Sequence, residues 1–96
     1  MTYYSKNDYK LIGYKKSNTK NKMYDGILQN KQTGRTVSIP FGDKRYENYQ
    51  DKTGLNLYPQ LIHNDKERRR LYRLRHKKDL KDGYYSAGWL SYHILW

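Results

Sequence analysis

The stretch NDKERRRLYRLRHKK, residues 64–78, carries the clearest helical pattern in the chain and sets the class of fold. Asn64 is a good N-cap, and Glu67 three residues later completes a capping box. Asp65 and Glu67 fall in the first turn, where the helix dipole is positive, and Lys77 and Lys78 in the last, where it is negative. On a wheel of ~100° per residue, Leu71, Tyr72 and Leu74 define the inward side. Lys66, Arg69, Arg70, Arg73 and Lys77 gather on the opposite side. They make a cationic row of about 16 Å at ~1.5 Å rise per residue. Like charges so close repel one another, so the row is expected to be neutralised by an anionic partner. Arg68 and Arg75 fall on the inward side and are expected to form structural ion pairs, with Asp43, Glu47 and Asp51 as candidate acids.

Three strand-like runs precede the helix. They are residues 9–14 (YKLIGY), 23–29 (MYDGILQ) and 35–41 (RTVSIPF). In the third, Val37, Ile39 and Phe41 point one way and Thr36 and Ser38 the other. Pro40 cannot donate to a ladder and belongs near a strand end or on an edge. The first two runs are joined by the polar, turn-rich residues 15–22, the last two by residues 30–34 (NKQTG), whose Gly34 can take a positive φ. Short connections predict an antiparallel three-stranded meander. Residues 44–50 are expected to form one or two helical turns with Tyr46 and Tyr49 on one face. A second short helix is expected from Ser86, its N-cap, to the end, with Trp89, His93 and Trp96 on one face. The predicted fold is therefore α+β: a small antiparallel three-stranded meander, a basic amphipathic helix and a short aromatic C-terminal helix. At 96 residues it reads as one domain: meander at 1–41, irregular connection at 42–62, helical part at 63–96.

Composition narrows the function. Hydrophobic residues are 35% of the chain, and Tyr alone supplies 12 of them. A core so rich in tyrosine must also satisfy hydroxyl groups, and a domain this small has a thin stability margin. The net charge is +11, held in two basic blocks at residues 1–35 and 64–96 around a neutral middle. Concentrated positive charge favours nucleic acid, an anionic surface or an acidic protein as partner. There is no cysteine, so neither disulfides nor thiolate metal sites are available. The first ten residues contain no apolar run like that of a signal peptide, and no segment approaches the ~20 apolar residues of a membrane span. The chain is expected to be soluble and made in a cytoplasm, with no membrane partner.

Catalytic chemistry is poorly supported. A metal site would draw on His63, Asp65 and His76, one ligand short of a zinc set. Asp65 serves more simply as a partner for the helix N-terminus. Ser38, Ser86 and Ser91 lack a nucleophile-elbow motif, and no Gly-rich phosphate loop is present. No enzyme activity, metal, cofactor or small-molecule substrate is expected. Tyr3, Tyr4, Tyr84, Tyr85, Trp89 and Tyr92 could stack on bases. The preferred reading is that Tyr72, Trp89, Tyr92 and Trp96 form core or interface, with the terminal helix packed on the sheet.

Three strings, FGDKRYENYQDKTGLNLY, HNDKERRRLYRLRHKK and YYSAGWLSYHILW, together resemble a family of small uncharacterised proteins encoded by tailed phages and large nucleocytoplasmic DNA viruses. The positions that match its pattern are Phe41, Gly42, His63, Asp65, Arg68, Arg69, Tyr72, Arg75, His76, Ser86, Leu95 and Trp96, within residues 37–96. The resemblance implies a viral origin and no mechanism. Two expectations follow. The first is a virion structural component, cementing or decorating an acidic capsid or tail surface. The second is a non-sequence-specific binder of nucleic-acid phosphates.

Overall fold

Apolar side chains at every second position put Val37, Ile39 and Phe41 on one side of an extended segment. In the computed structural model, which describes residues 4–80 and 83–96, that segment is a sheet strand. Along the chain come strands β1 (Tyr4–Ser5), β2 (Tyr9–Lys16), β3 (Tyr24–Asn30) and β4 (Thr36–Phe41). A short 3-10 turn (Pro59–Leu61), helix α1 (Lys66–His76), strand β5 (Tyr84–Tyr85) and helix α2 (Ala87–Leu90) follow. The chain ends in a π-helical turn (Ser91–Leu95). β2, β3 and β4 form the expected antiparallel meander, so the α+β reading holds. β4 is an edge, which accommodates Pro40 opposite Asp25. β1 and β5 form a second, two-stranded sheet that no sequence pattern announced, because two residues are too few to show a period.

The core lies between the meander and the C-terminal turns. Leu28, Ile39 and Phe41 meet Leu90, Ile94 and Leu95 there, with Met23 and Tyr24 fully buried beside them. The Tyr24 hydroxyl donates to Asp51 and accepts the Leu57 N–H, as a buried phenol requires. Burial, then the Asp51 carboxylate, push its pKa up to about 12. Gly42 follows β4 at φ +75°, and a Cβ there would stand 2.9 Å from Leu95 Cδ1 and 3.0 Å from Met23 Sδ. Gly42→Ala is therefore expected to lower the unfolding free energy by about 1–3 kcal/mol, read from urea denaturation. An unchanged midpoint would mean that Met23 and Leu95 repack freely.

Three local expectations need correction. Residues 44–50 are not helical. The Asp43 carboxylate accepts the Arg45 N–H at 2.9 Å and closes a side-chain turn, which competes with helix initiation. Asn48 then bridges to Ile62, leaving Tyr46 exposed and Tyr49 half-buried. At α1 the cap is Asp65, not Asn64. Asp65 Oδ1 accepts from the N–H groups of Glu67 and Arg68 at 3.0 and 3.2 Å, while Asn64 sits at φ 55° outside the helix. Glu67 turns to Arg70 instead of completing a capping box. At the other end Ser86 does cap α2, accepting the Trp89 N–H at 3.1 Å. Trp89 and His93 contact each other there, but Trp96 turns away to stack on Tyr72 of α1.

The largest correction is the rotation of α1. Leu71 and Leu74, expected inward, are 46% and 60% exposed. Arg69 and Arg73, expected outward, are turned to the fold with Tyr72 and His76. The surface beneath α1 explains this. It consists of the rings of Tyr49, Tyr92 and Trp96 and the carbonyl-bearing end of the C-terminal turn, whose last oxygens lack partners within the turn. Main-chain N–H groups of Tyr49 and Gln50 reach the Leu95 carbonyl, and that of Lys52 reaches Ile94. Arg69 Nε donates to the Trp96 carbonyl at 2.7 Å with its guanidinium 4.9 Å from the Tyr49 ring. Arg73 lies 4.2 Å over the Tyr92 ring, within 3.5 Å of that residue's carbonyl. A guanidinium covers a ring and donates to a carbonyl together, whereas leucine does only the first.

Candidate functional site

Turning Arg69 and Arg73 inward breaks the cationic row predicted from the wheel. Of its five members, Lys66, Arg70 and Lys77 remain exposed, and Arg70 pairs with Glu67 one turn away. The Arg70 guanidinium beside it holds the Glu67 carboxyl below its ordinary range. Arg68 and Arg75, assigned to the inward side, are both exposed. Arg68 does meet one of its candidate acids, Glu47, at 3.1 Å, but in a solvent-facing pair of small energetic weight. Arg75 forms no ion pair among the described residues. Asp43 pairs with Arg45 instead, whose guanidinium holds its pKa at about 2.

The outward face that results was not foreseen. Leu71 and Leu74 run along its middle, with Arg68 and Arg75 on one flank and Lys66, Arg70 and Lys77 on the other. Leu71 continues into a groove of about 930 Å³ between α1 and residues 42–48. Arg68, Tyr72 and Arg75 line one wall, and Asp43, Tyr46 and Glu47 the other. Gly88, Ser91 and Trp96 lie at its base, and Lys22 at its rim brings a cation from the β2–β3 connection. Tyr46, at 66% exposed, adds a large ring to the same surface. Face and groove together form one surface with an apolar centre, edged mostly by cations, with Asp43 and Glu47 on the far wall.

Beneath the groove runs a column of rings that fixes the position of α1. Tyr72 stacks on Trp96 with centroids 4.1 Å apart and planes 3° from parallel. His76 contacts the outer side of this pair, 4.2 Å from Tyr72. On the other side His63 lies 5.2 Å from Trp96 and 6.1 Å from Tyr49. Of the pattern positions, His63, Tyr72, His76 and Trp96 fall on this column and Asp65 and Arg69 bond to it, while Arg68 and Arg75 are exposed and take no part in how α1 packs.

The residues considered for a metal have other engagements. His63 Nδ1 accepts the Asp65 N–H at 2.8 Å, and the Asp65 carboxylate caps α1. Burial, then the charge of Arg68, lower the His63 pKa from its ordinary value. Among the described residues no three His, Asp or Glu side chains converge as a metal site would require. Nor is any helix there long and apolar enough to cross a membrane.

The aromatic residues divide clearly. Tyr92 and Trp96 are 7% and 8% exposed and belong to the core, and Tyr72 is half-buried against it. Trp89 packs edge-on to Tyr85 and carries Lys6 Nζ 4.4 Å from its ring. Tyr84 is 45% exposed, and Tyr3 lies outside the described residues. Sequence reasoning missed Lys22, Tyr46 and Ser91 as groove residues. No local signal marks them, since each reaches the groove through a different loop or turn. No family model matches the chain, and neither a curated protein nor a solved structure matches it.

Proposed function

We propose that the chain is a non-enzymatic viral protein that docks an acidic protein surface inside a viral particle, as a cementing, decorating or minor structural component of the capsid or tail. The observation that carries this reading is the exposed Leu71–Leu74 pair between two cationic flanks on α1. Protein interfaces combine a desolvated apolar centre with a charged rim and draw their energy from a few central residues. A surface that only tracks phosphates needs the cations and has no use for the leucines.

The charge balance supports an acidic partner. Only Lys15, Arg45, Arg68 and Arg70 meet carboxylates among the described residues, against 20 basic residues in the chain. Most of the positive surplus therefore faces outward after folding, where it steers association with a negative surface. The family-like pattern supplies the viral setting, and the virion and host cytoplasm are the proposed locations.

The second reading, a non-sequence-specific nucleic-acid binder, is favoured by the exposed Lys66, Arg75, Lys77 and Lys78, which have no carboxylate partner among the described residues. Two measurements separate the readings. Purified particles of the encoding virus are expected to contain the chain in stoichiometric amount, and its absence would overturn the structural role. Duplex DNA titrated against salt is expected to show no saturable binding at physiological ionic strength. Saturable binding with a log–log slope of about −3 to −4, as four neutralised phosphates would give, reduced by Lys66→Glu and Lys77→Glu, would put the nucleic-acid reading in its place.

A further inference from the structure

Gly88 is a glycine that the fold does not require. It lies in α2 without a positive φ, and a Cβ built on it would meet nothing closer than Ser86 Oγ at 3.9 Å. Gly42, which also borders the groove, differs: its φ and the approach of Leu95 and Met23 both call for glycine. Glycine is a poorer helix former than alanine, so Gly88 weakens α2 without serving its backbone geometry or its packing. The space that a side chain would take lies at the base of the groove beside α1. Glycine keeps that base open.

The open groove has a definite chemical character. Leu71, Tyr72, Ala87 and Trp96 give it apolar walls and floor. The acids of the far wall are already engaged, Asp43 by Arg45 and Glu47 by Arg68. Arg75 on the near wall and Lys22 at the rim form no ion pair among the described residues. The charge left unanswered at the groove is therefore positive. Its volume of about 930 Å³ is that of cavities which enclose a whole small ligand, so a large side chain fits with room for the backbone that bears it.

We propose that the groove receives one large apolar side chain from an acidic segment of the partner protein, whose carboxylates meet Arg75 and Lys22. This anchor site rests on the acidic-partner reading and deepens it. The Leu71–Leu74 face supplies contact area, and the groove supplies the pocket for the anchor. Leu71 belongs to both, so one partner segment covers the face and turns a side chain down toward Trp96. Interfaces draw most of their energy from such anchors, with surrounding contacts that keep water out. A guanidinium matches a carboxylate with two parallel donors, which suits Arg75 to the acid beside the anchor. A phosphate chain would answer the cations and leave the apolar walls uncovered. A second copy of this chain is disfavoured by charge, because it brings +11 to a groove whose free charges are cations.

Fluorescence anisotropy with short synthetic peptides of Asp and Ser tests the anchor, one peptide carrying a central Phe and the other a central Ala. Both have the same charge, so the surface cations treat them alike. The Phe peptide is expected to bind about tenfold tighter or more. Gly88→Leu fills the groove from its base and leaves Leu71, Leu74 and every charge in place. It is expected to abolish the Phe advantage, to leave the Ala peptide unchanged and to keep the urea midpoint at or above that of the natural chain. Arg75→Gln, an exposed change, is expected to weaken both peptides about threefold or more. Equal binding of the two peptides by the natural chain would overturn the anchor site. So would a Phe advantage that survives Gly88→Leu, because it would place the ring elsewhere. Particle content separates this site from the wider reading. Natural-level incorporation of the Gly88→Leu chain, with depletion of the chain lacking Leu71 and Leu74, would overturn the groove alone and leave acidic docking on the outer face. Absence of the natural chain from particles would overturn the wider reading and the groove with it.

Discussion

Trp96→Ala is expected to lower the unfolding free energy by roughly 3–5 kcal/mol, the ordinary range for removing a large buried ring. Trp96 is 8% exposed and stands at the one point where α1, the residues around His63 and the C-terminal turn meet. Its removal leaves a void beneath Tyr72 and deprives α1 of its principal ring contact. The parallel stack with Tyr72 adds about 0.5–1.5 kcal/mol beyond the area buried. Domains of this size rarely exceed a stability of about 5–15 kcal/mol, so the loss takes a large share of the margin. Trp96→Phe keeps a ring in the column and is expected to recover more than half of the deficit. Urea denaturation followed by far-ultraviolet circular dichroism measures both variants. A loss below about 1 kcal/mol for the alanine variant would show that α1 is held by Arg69 and Arg73 rather than by the stack.

The second large effect concerns association. Replacing Leu71 and Leu74 together by glutamine removes the apolar centre of the proposed interface while leaving every charge in place. If each leucine is an anchor, each costs roughly 2 kcal/mol of binding, about 30-fold in affinity. The double variant is then expected to be depleted at least tenfold from purified particles when it replaces the natural chain. Its stability is expected to change by less than about 1 kcal/mol, since glutamine is a good helix former and both sites are exposed. Undiminished incorporation would show that docking is purely electrostatic. Loss of both incorporation and helical signal would instead assign the leucines to folding, contrary to their exposure.

Much of the architecture was legible from local chemistry. Alternation in residues 35–41 and the turn at Gly34 announced the meander, because period-two patterning and a positive φ are written into neighbouring residues. Ser86 was recognisable as a cap for the same reason. The start of α1 was placed one residue early because Asn64 and Asp65 are both competent caps. Only the backbone around them decides which side chain reaches the free N–H groups. The turn at Asp43 was misread because Tyr46 and Tyr49 at helical spacing also suit a loop with one ring out and one half in.

The site was less legible, and α1 shows why. A helical wheel ranks faces by hydrophobicity and places leucines inward and arginines outward. That ranking assumes that the receiving surface is aliphatic. Here it is a set of rings and main-chain carbonyls, which two arginines satisfy better than two leucines. The identity of the receiving surface depends on Tyr49, Tyr92 and Trp96, which lie 19 or more positions from the residues they bind.

The amino-acid sequence by itself determined that this chain is strongly cationic, that it forms a meander followed by a capped helix, and that its stability rests on aromatic side chains. Those properties follow from composition and from interactions within a few residues. Tertiary structure alone decided which way α1 faces, and so which cations meet solvent and which serve the fold. Such choices are settled by long-range contacts, where a guanidinium can be either a surface charge or a cover for a ring, and only the opposing surface tells which.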